Sequence, residues 1–335
     1  MIFFSIVIPL YNRPQEIDEL LESLTHQTYS PFEVLVIEDG STRDARAIAM
    51  SYRDRLDIRY YAKDNEGQGF TRNFGFERAK GDYFVIFDSD CLIPPDYLIN
   101  VALFLQEEGL DAYGGPDAAH HSFTPIQKAI SYAMTSPFTT GGIRGNRKHI
   151  GTFHPRSFNM GVSRAVWEQV GGFKLTRLGE DIEYSIRIHA AGFRIGLIPN
   201  AVVYHKRRTD FGQFYRQLHF FGRARINIYT HFANELKAVH FFPAAFVIFL
   251  GALAFLNLWE LLATGLTDGL RVSTASIGNA ILGGYILLLF FHSLVKTRHL
   301  AVALLSVVAS LIQLVAYGMG FIQDFWKRLV LKRNR

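Results

Sequence analysis

Cysteine is almost missing from the chain: Cys91 is the only one in 335 residues, so no intrachain disulfide can form. It directly follows Asp90, where a small buried side chain fits better than a nucleophile. Residues 1–10 have no basic n-region and no small-residue cleavage site, and Pro9 interrupts them. They read as a first strand and not as a secretory signal, which keeps the N-terminal domain on the cytoplasmic side. Charge is also sparse, at 19% of residues, with a formal net charge of +5. What basic charge there is gathers in two places. Lys206, Arg207, Arg208, Arg216, Arg223 and Arg225 crowd one segment, and Lys327, Arg328, Lys332, Arg333 and Arg335 crowd the tail. No nucleic-acid-binding motif accompanies either cluster, and both adjoin apolar stretches. Their expected partners are therefore membrane lipids with anionic head groups, and not nucleic acid. Finally, polar faces are nearly absent from residues 241–263, 277–295 and 300–322. Each stretch approaches the roughly 20 apolar residues that span a bilayer, which disfavours helices of a soluble core.

The N-terminal two-thirds has the opposite character. Tyr83-Phe84-Val85-Ile86-Phe87 is too short for a helix and has no polar alternation, so it reads as a buried, parallel strand. It runs straight into Asp88-Ser89-Asp90. Similar apolar runs at residues 3–8, 32–37 and 58–62 alternate with helical patterns that begin near Pro14 and Asp44 and after the Gly-rich turn at Asn65-Glu66-Gly67-Gln68-Gly69. This alternation with short links predicts a parallel sheet with helices on both faces. Ligands of open α/β sheets bind beyond the carboxyl ends of the strands. There two hard carboxylates can hold Mg²⁺ or Mn²⁺ against a diphosphate, although Asp and Ser also favour ordinary turns. Further along, residues 139–152 are rich in Gly and basic residues and lack any period, which suits a lid or a solvated loop. Glu180-Asp181 opens an amphipathic helix, and Val202-Val203-Tyr204-His205 is a last short strand. Residues 211–229 interleave Phe211, Phe214, Phe220 and Phe221 with arginines, as an interfacial helix does.

Taken in order, several motifs carry a family resemblance. They are Ser5-Ile6-Val7-Ile8-Pro9-Leu10-Tyr11-Asn12, Glu38-Asp39-Gly40-Ser41-Thr42, Asn65-x-Gly67 with Arg72-Asn73, Asp88-Ser89-Asp90, and Gly171-Gly172-Phe173 with Gly179-Glu180-Asp181. Over roughly residues 5–225 the sequence resembles glycosyltransferase family 2, inverting enzymes of the GT-A fold. The resemblance implies a GT-A-type, Rossmann-like, mostly parallel α/β sheet followed by C-terminal transmembrane helices. It implies that Pro9, Tyr11 and Asp39 line the nucleotide pocket of a nucleotide-sugar donor, with Arg72 near the phosphates and Asp88 beside the diphosphate and ribose. Asp90, Asp88 and His205 become candidate ligands for Mg²⁺ or Mn²⁺, Asp181 the catalytic base, and Glu180 its neighbour. Each has a plainer alternative. Asp39 can be a turn residue, Arg72 a helix-surface arginine, Asp181 a partner of the helix dipole and His205 a structural histidine.

The implied reaction is metal-dependent transfer of one sugar, with inversion, to a hydroxyl of a lipid-linked glycan or polyprenyl phosphate. A processive polysaccharide synthase is the nearest alternative, but Gln213-Phe214-Tyr215-Arg216-Gln217 lacks the tryptophan of the Gln-x-x-Arg-Trp motif that processive members carry, and no membrane segment precedes the catalytic domain. A nucleotidyltransferase would want a Gly-rich phosphate loop after the first strand, and Pro9-Leu10-Tyr11-Asn12-Arg13-Pro14 is a poor one. The expected organisation is a catalytic domain at 1–210, an interfacial region at 211–239, transmembrane segments at 240–324 and a basic tail at 325–335. This describes a multi-pass protein of the cell (inner) membrane with its catalytic domain in the cytoplasm. Three spans would put the basic tail outside, against the positive-inside rule, so the tail is expected inside and one segment is expected not to span fully.

Overall fold

The computed structural model describes all residues except 119, 121, 141–152, 264–272 and 333–335. Most of the expected lid at 139–152 therefore lies outside the described residues. In chain order the elements are β1 (Phe4–Leu10), α1 (Pro14–Thr25), β2 (Phe32–Asp39), α2 (Arg46–Met50), β3 (Ile58–Lys63), α3 (Gln68–Phe76), β4 (Tyr83–Phe87), β5 (Cys91–Leu92), α4 (Tyr97–Glu108), β6 (Ala112–Gly114) and β7 (Asp117–Ala118). Then follow α5 (Pro125–Thr135), α6 (Pro137–Thr140), β8 (Asn159–Ser163), α7 (Arg164–Val170), α8 (Glu180–Ala190), β9 (Ile195–Leu197), β10 (Val203–His205), α9 (Phe211–His231), α10 (Phe242–Ala263), α11 (Thr274–Thr297) and α12 (Leu300–Asp324). The chain divides into two compact units, one of Met1–His121 with Gly145–Lys206, the other of Ser122–Arg144 with Arg207–Arg335.

The first unit is built on a seven-stranded sheet in the order β3-β2-β1-β4-β8-β6-β9. Pairing is parallel from β3 to β4, antiparallel on both sides of β8, and parallel again between β6 and β9. The sheet is thus mostly parallel, with β8 reversed. β8 is buried along its whole length although Asn159 and Ser163 are polar, so its sequence carries no mark of direction. Side chains of the central strands alternate between two apolar layers. Ile6, Ile8, Val34, Val36, Val85 and Phe87 face one layer. Val7, Leu35, Ile37, Phe84 and Ile86 face the other. Burying each such side chain favours folding by about 1.5–3 kcal/mol, which fixes the strand register and so the direction in which β2 and β4 deliver their carboxylates. A second sheet, β5-β10-β7, sits after the end of β4. Its antiparallel β10–β5 pairing sets His205 opposite Cys91.

The second unit is helical. Thr124 caps α5 through a reciprocal pair with Gln127, with Pro125 in the first turn. Ala129, Ile130, Ala133 and Met134 of α5 pack with Phe214 and Leu218 of α9 and with Val302, Ala309 and Ala316 of α12. Among the described residues three helices are long and apolar enough to cross a membrane: Ala238–Leu262, Thr274–Thr297 and Leu300–Val330.

Candidate active site

Asp39 is the last residue of β2 and is buried. Its Oδ1 accepts the Glu66 N–H at 3.0 Å and its Oδ2 the Gly67 N–H at 2.9 Å, while Lys63 Nζ donates to Oδ1 at 3.2 Å. Burial alone would raise this carboxyl. Hydrogen bonds from Glu66, Thr71, Lys63 and Gly67 outweigh it and hold Asp39 below the ordinary carboxylate range. The turn requires glycine at 67, where φ is +88° and a Cβ would come within 2.2 Å of Thr176 Oγ1. Pro9 is paired with Ile37 inside the sheet, and Tyr11 stands 51% exposed just beyond it. The two strand ends are tied together by Asn12. Its side-chain oxygen accepts the N–H groups of Thr42 at 2.8 Å and Arg43 at 3.0 Å.

Asp88 and Asp90 follow β4, and different partners hold them. Asp90 is buried, with Arg13 Nη1 donating to Oδ2 and His205 Nε2 lying 3.1 Å from Oδ1. Burial acts to raise its carboxyl, but His205 and then Arg13 overcome this and hold it far below the ordinary range. The ligand atoms of Asp90, Cys91 and His205 lie within 4.8 Å of one another. Burial pushes the Cys91 thiol well up, so it is a poor source of thiolate. The oxygen of Asp90 and the imidazole of His205 suit Mn²⁺ or Mg²⁺ better. Their 3.1 Å separation matches the edge of an octahedron with bonds of about 2.1 Å. Among the described residues His205 Nδ1 is buried without a hydrogen-bond partner, so no hydrogen bond among them anchors the ring on that side.

Arg72 has no exposed surface, which rules out the helix-surface alternative. Its Nη2 donates to Asp88 Oδ1 at 2.9 Å and its Nη1 to Glu180 Oε1 at 3.2 Å. One guanidinium therefore joins the end of β4 to the start of α8. Gln68, one turn earlier on α3, also donates to Glu180. The Glu180 carboxyl is raised, by burial and then by Asp181, against the pull of Arg72. Asp181 is less enclosed, with 14% of its side chain exposed, and Arg156 Nη1 lies 3.6 Å from its Oδ2. Gly179 starts this helix at φ +93° in the left-handed region, which turns the chain so that consecutive carboxylates open α8.

Helix α3 and the turn before it link these groups, since Glu66 and Gly67 of the turn donate to Asp39 while Gln68 and Arg72 of the helix meet Glu180 and Asp88. Asp39, Arg72, Asp88, Glu180 and Asp181 thus form one connected array, and Asp90 with His205 forms a second cluster two residues from Asp88. Sequence reading missed Arg13 and Arg156. Arg13 had a signal, a cation directly past the carboxyl end of β1. Arg156 had none, because it lies in an irregular segment before β8.

With this geometry in hand, comparison with known proteins is direct. Residues 5–171 match the family model for Glycosyl transferase family 2. The chain is similar to validoxylamine A glucosyltransferase of Streptomyces hygroscopicus subsp. limoneus, with 30% identity over 225 residues, 56% of this chain and 48% of that one. It is similar to glycosyltransferase AglE of Haloferax volcanii, with 26% identity over 258 residues, 75% of this chain and 81% of that one. Other curated relatives are far longer than the match, and the chain spans 22% and 16% of two Rickettsia proteins. Among solved structures, a mannosyltransferase of Pyrobaculum calidifontis, in complex with GDP-Man and Mn²⁺, superposes with a TM-score of 0.61 at 17% identity. That match covers 93% of this chain and 87% of the other, and it is a likeness of fold.

Proposed function

The chain belongs to glycosyltransferase family 2, and from that premise we propose that it transfers one sugar, with inversion, from a nucleotide-diphospho-sugar to a hydroxyl of a membrane-associated acceptor. A lipid-linked glycan or a polyprenyl phosphate is the acceptor class we favour, because among the described residues three helices long and apolar enough to cross a membrane follow the family domain. The site stands in a catalytic domain ending near residue 210, on the cytoplasmic side of the cell membrane.

Asp39 accepts a hydrogen bond from the nucleotide base, with Pro9 and Tyr11 beside it. Asp90 and His205, with Asp88, would hold Mg²⁺ or Mn²⁺. When bound, the ion supplies Lewis-acid stabilisation of the charge that builds on the departing nucleoside diphosphate. Asp181 accepts the proton of the acceptor hydroxyl as that oxygen forms its bond to the anomeric carbon. The bond from this carbon to the diphosphate oxygen breaks on the opposite face, and its electron pair leaves with the nucleoside diphosphate. With one base and no enzyme nucleophile, an α-linked donor yields a β-linked product. Arg72 acts through Asp88 and Glu180, keeping the donor end and the base end of the site in register. Single transfer is supported by the missing tryptophan at Gln217, where a growing polymer would stack.

The observation that carries this reading is the buried Arg72 bridge between Asp88 and Glu180, which draws together carboxylates from the end of β4 and the start of α8. Asp181→Asn tests it. A base acts only in the transfer step, so turnover should fall by roughly 10²–10⁴-fold while donor affinity stays near wild type. Loss of donor binding or of the fold would instead make the carboxylate a structural cap, and Glu180 would become the next candidate base.

A further inference from the structure

The second unit contains three candidate membrane-crossing helices, and their mutual contacts treat the third differently from the other two. Helices α10 and α11 form an antiparallel hairpin. Phe246 meets Tyr285 with ring centroids 5.9 Å apart, Asn279 Nδ2 donates to Asn257 Oδ1 at 2.8 Å, and Ser273 Oγ donates to Glu260 Oε2 at 2.9 Å. As numbers rise along α10 they fall along α11. The end of α11 therefore returns to the level at which α10 begins. Helix α12 starts there too, since only residues 298 and 299 separate it from α11.

Its far end is at that level as well. Phe321 packs edge-on against Phe241, just before α10, with centroids 5.2 Å apart. Gly318 lies so close to the first turn of α10 that a Cβ there would come within 2.3 Å of the Pro243 carbonyl oxygen. The buried carboxylate of Asp324 then clamps this end to α9, accepting Arg223 Nε and Arg328 Nε at 2.9 Å each. Arg328 also reaches Asn227 Oδ1 at 2.9 Å. Both ends of α12 thus lie at one end of the α10–α11 hairpin, although its 25 residues would reach about 37 Å.

Exposure follows the same division. Large apolar residues stand exposed around α10, including Phe242, Ile248, Phe255, Leu258, Trp259 and Leu261. Such a helix needs hydrocarbon around it, as a spanning helix has. On α12 the exposed residues Leu300, Leu304, Val308, Met319 and, two residues beyond its end, Trp326 make a single stripe. Its other face is covered by α5 and α9.

We propose that α10 and α11 are the two membrane crossings among the described residues, and that α12 lies in the plane of the membrane on the side where α10 begins. Its Leu300–Met319 stripe enters the acyl boundary, and the tail that follows, with Lys327 and Lys332, meets anionic head groups on the same side as α9. The lipid partner is a bilayer leaflet rich in anionic head groups, whose negative surface potential attracts such basic residues. This inference does not depend on the sugar chemistry.

The test uses the full-length protein in intact cells and a membrane-impermeant maleimide, with the buried Cys91 as the silent background. Single substitutions Arg216→Cys, on α9, Asp268→Cys, between α10 and α11, and Lys332→Cys are labelled before and after permeabilisation. Positions 216 and 332 should behave alike and opposite to 268. Labelling of 332 together with 268 would make α12 a span, and labelling of all three together would remove the hairpin crossing; either result overturns the proposal. Nitroxides at Leu304→Cys and Met319→Cys give a second reading. Their depths should agree within a few ångströms, whereas a spanning α12 would separate them by about 20 Å.

Discussion

Arg72→Met removes the one cation that faces both Asp88 and Glu180 from inside the protein. Methionine keeps most of the volume, so the loss is chiefly one of charge. Removing one partner of a buried ion pair typically costs about 3–5 kcal/mol, because the remaining charge is stranded away from water. Here the Glu180 side chain is 5% exposed and bears that penalty, whereas Asp88 is 32% exposed and is partly screened. The lower end, about 3 kcal/mol, is expected, which lowers the melting temperature of a domain this size by roughly 6–12 °C. The deficit should depend on pH with a definite sign. The Glu180 carboxyl already lies above its ordinary value of 4.5, through burial and Asp181, so the native state holds that proton more tightly than the unfolded chain. Such a group weakens the fold progressively as pH rises above 4.5, and loss of Arg72 raises it further. The deficit of Arg72→Met should therefore be small in mild acid and grow toward pH 8. Adding Glu180→Gln should recover much of it. Thermal unfolding of the detergent-purified protein across pH reads all of this. A shift of less than about 2 °C, or one that does not change with pH, would refute the argument that the bridge is a stabilising ion pair.

Two other expectations follow from the same geometry. Arg13→Ala frees an Asp90 oxygen from a competing cation, so calorimetric titration with Mn²⁺ in the absence of donor should show tighter binding, by about fivefold for an ion pair worth ~1 kcal/mol; unchanged or weaker binding would contradict it. Asp39→Asn gives up charge-assisted hydrogen bonds worth about 1.5–3 kcal/mol, so donor affinity should fall roughly 10- to 100-fold in a binding assay. Because the Asp39 carboxyl is lowered from 3.8, its contribution to stability is present above that value and fades as pH falls below it, so the variant's stability deficit should disappear in acid.

Much of this was legible in the chain itself, for physical reasons. β1, β2 and β4 are dominated by apolar residues, with Ser5 and Glu33 as interior exceptions, so they read as buried strands, and the carboxylates Asp39 and Asp88 could be placed at strand ends without coordinates. Direction was not legible. β8, Asn159-Met160-Gly161-Val162-Ser163, has only Met160 and Val162 as large apolar residues, and only the structure reveals it as a buried strand that runs against its neighbours. β6 and β9 have three residues each, too few for any period to register. The association of α5 with the apolar helices was also missed, although Thr124-Pro125-Ile126-Gln127 carried a readable helix start. Asp90 and His205 were named together as candidate ligands through the family resemblance alone, because their 3.1 Å approach depends on the β5–β10 pairing, a long-range contact that no local pattern encodes.

The discontinuous helical unit also has a consequence in time. α5 leaves the ribosome about 170 residues before the part of α12 that covers it, an interval of roughly 10–35 s at ordinary translation rates. Throughout that interval Ala129, Ile130 and Ala133 have no lasting cover, and α9 arrives to meet them before α12 exists. This unit cannot close domain by domain behind the ribosome. It closes only once α12 has been made, so a nascent chain stalled before residue 300 would carry an apolar helix sheltered by α9 alone, for a chaperone or the bilayer to hold.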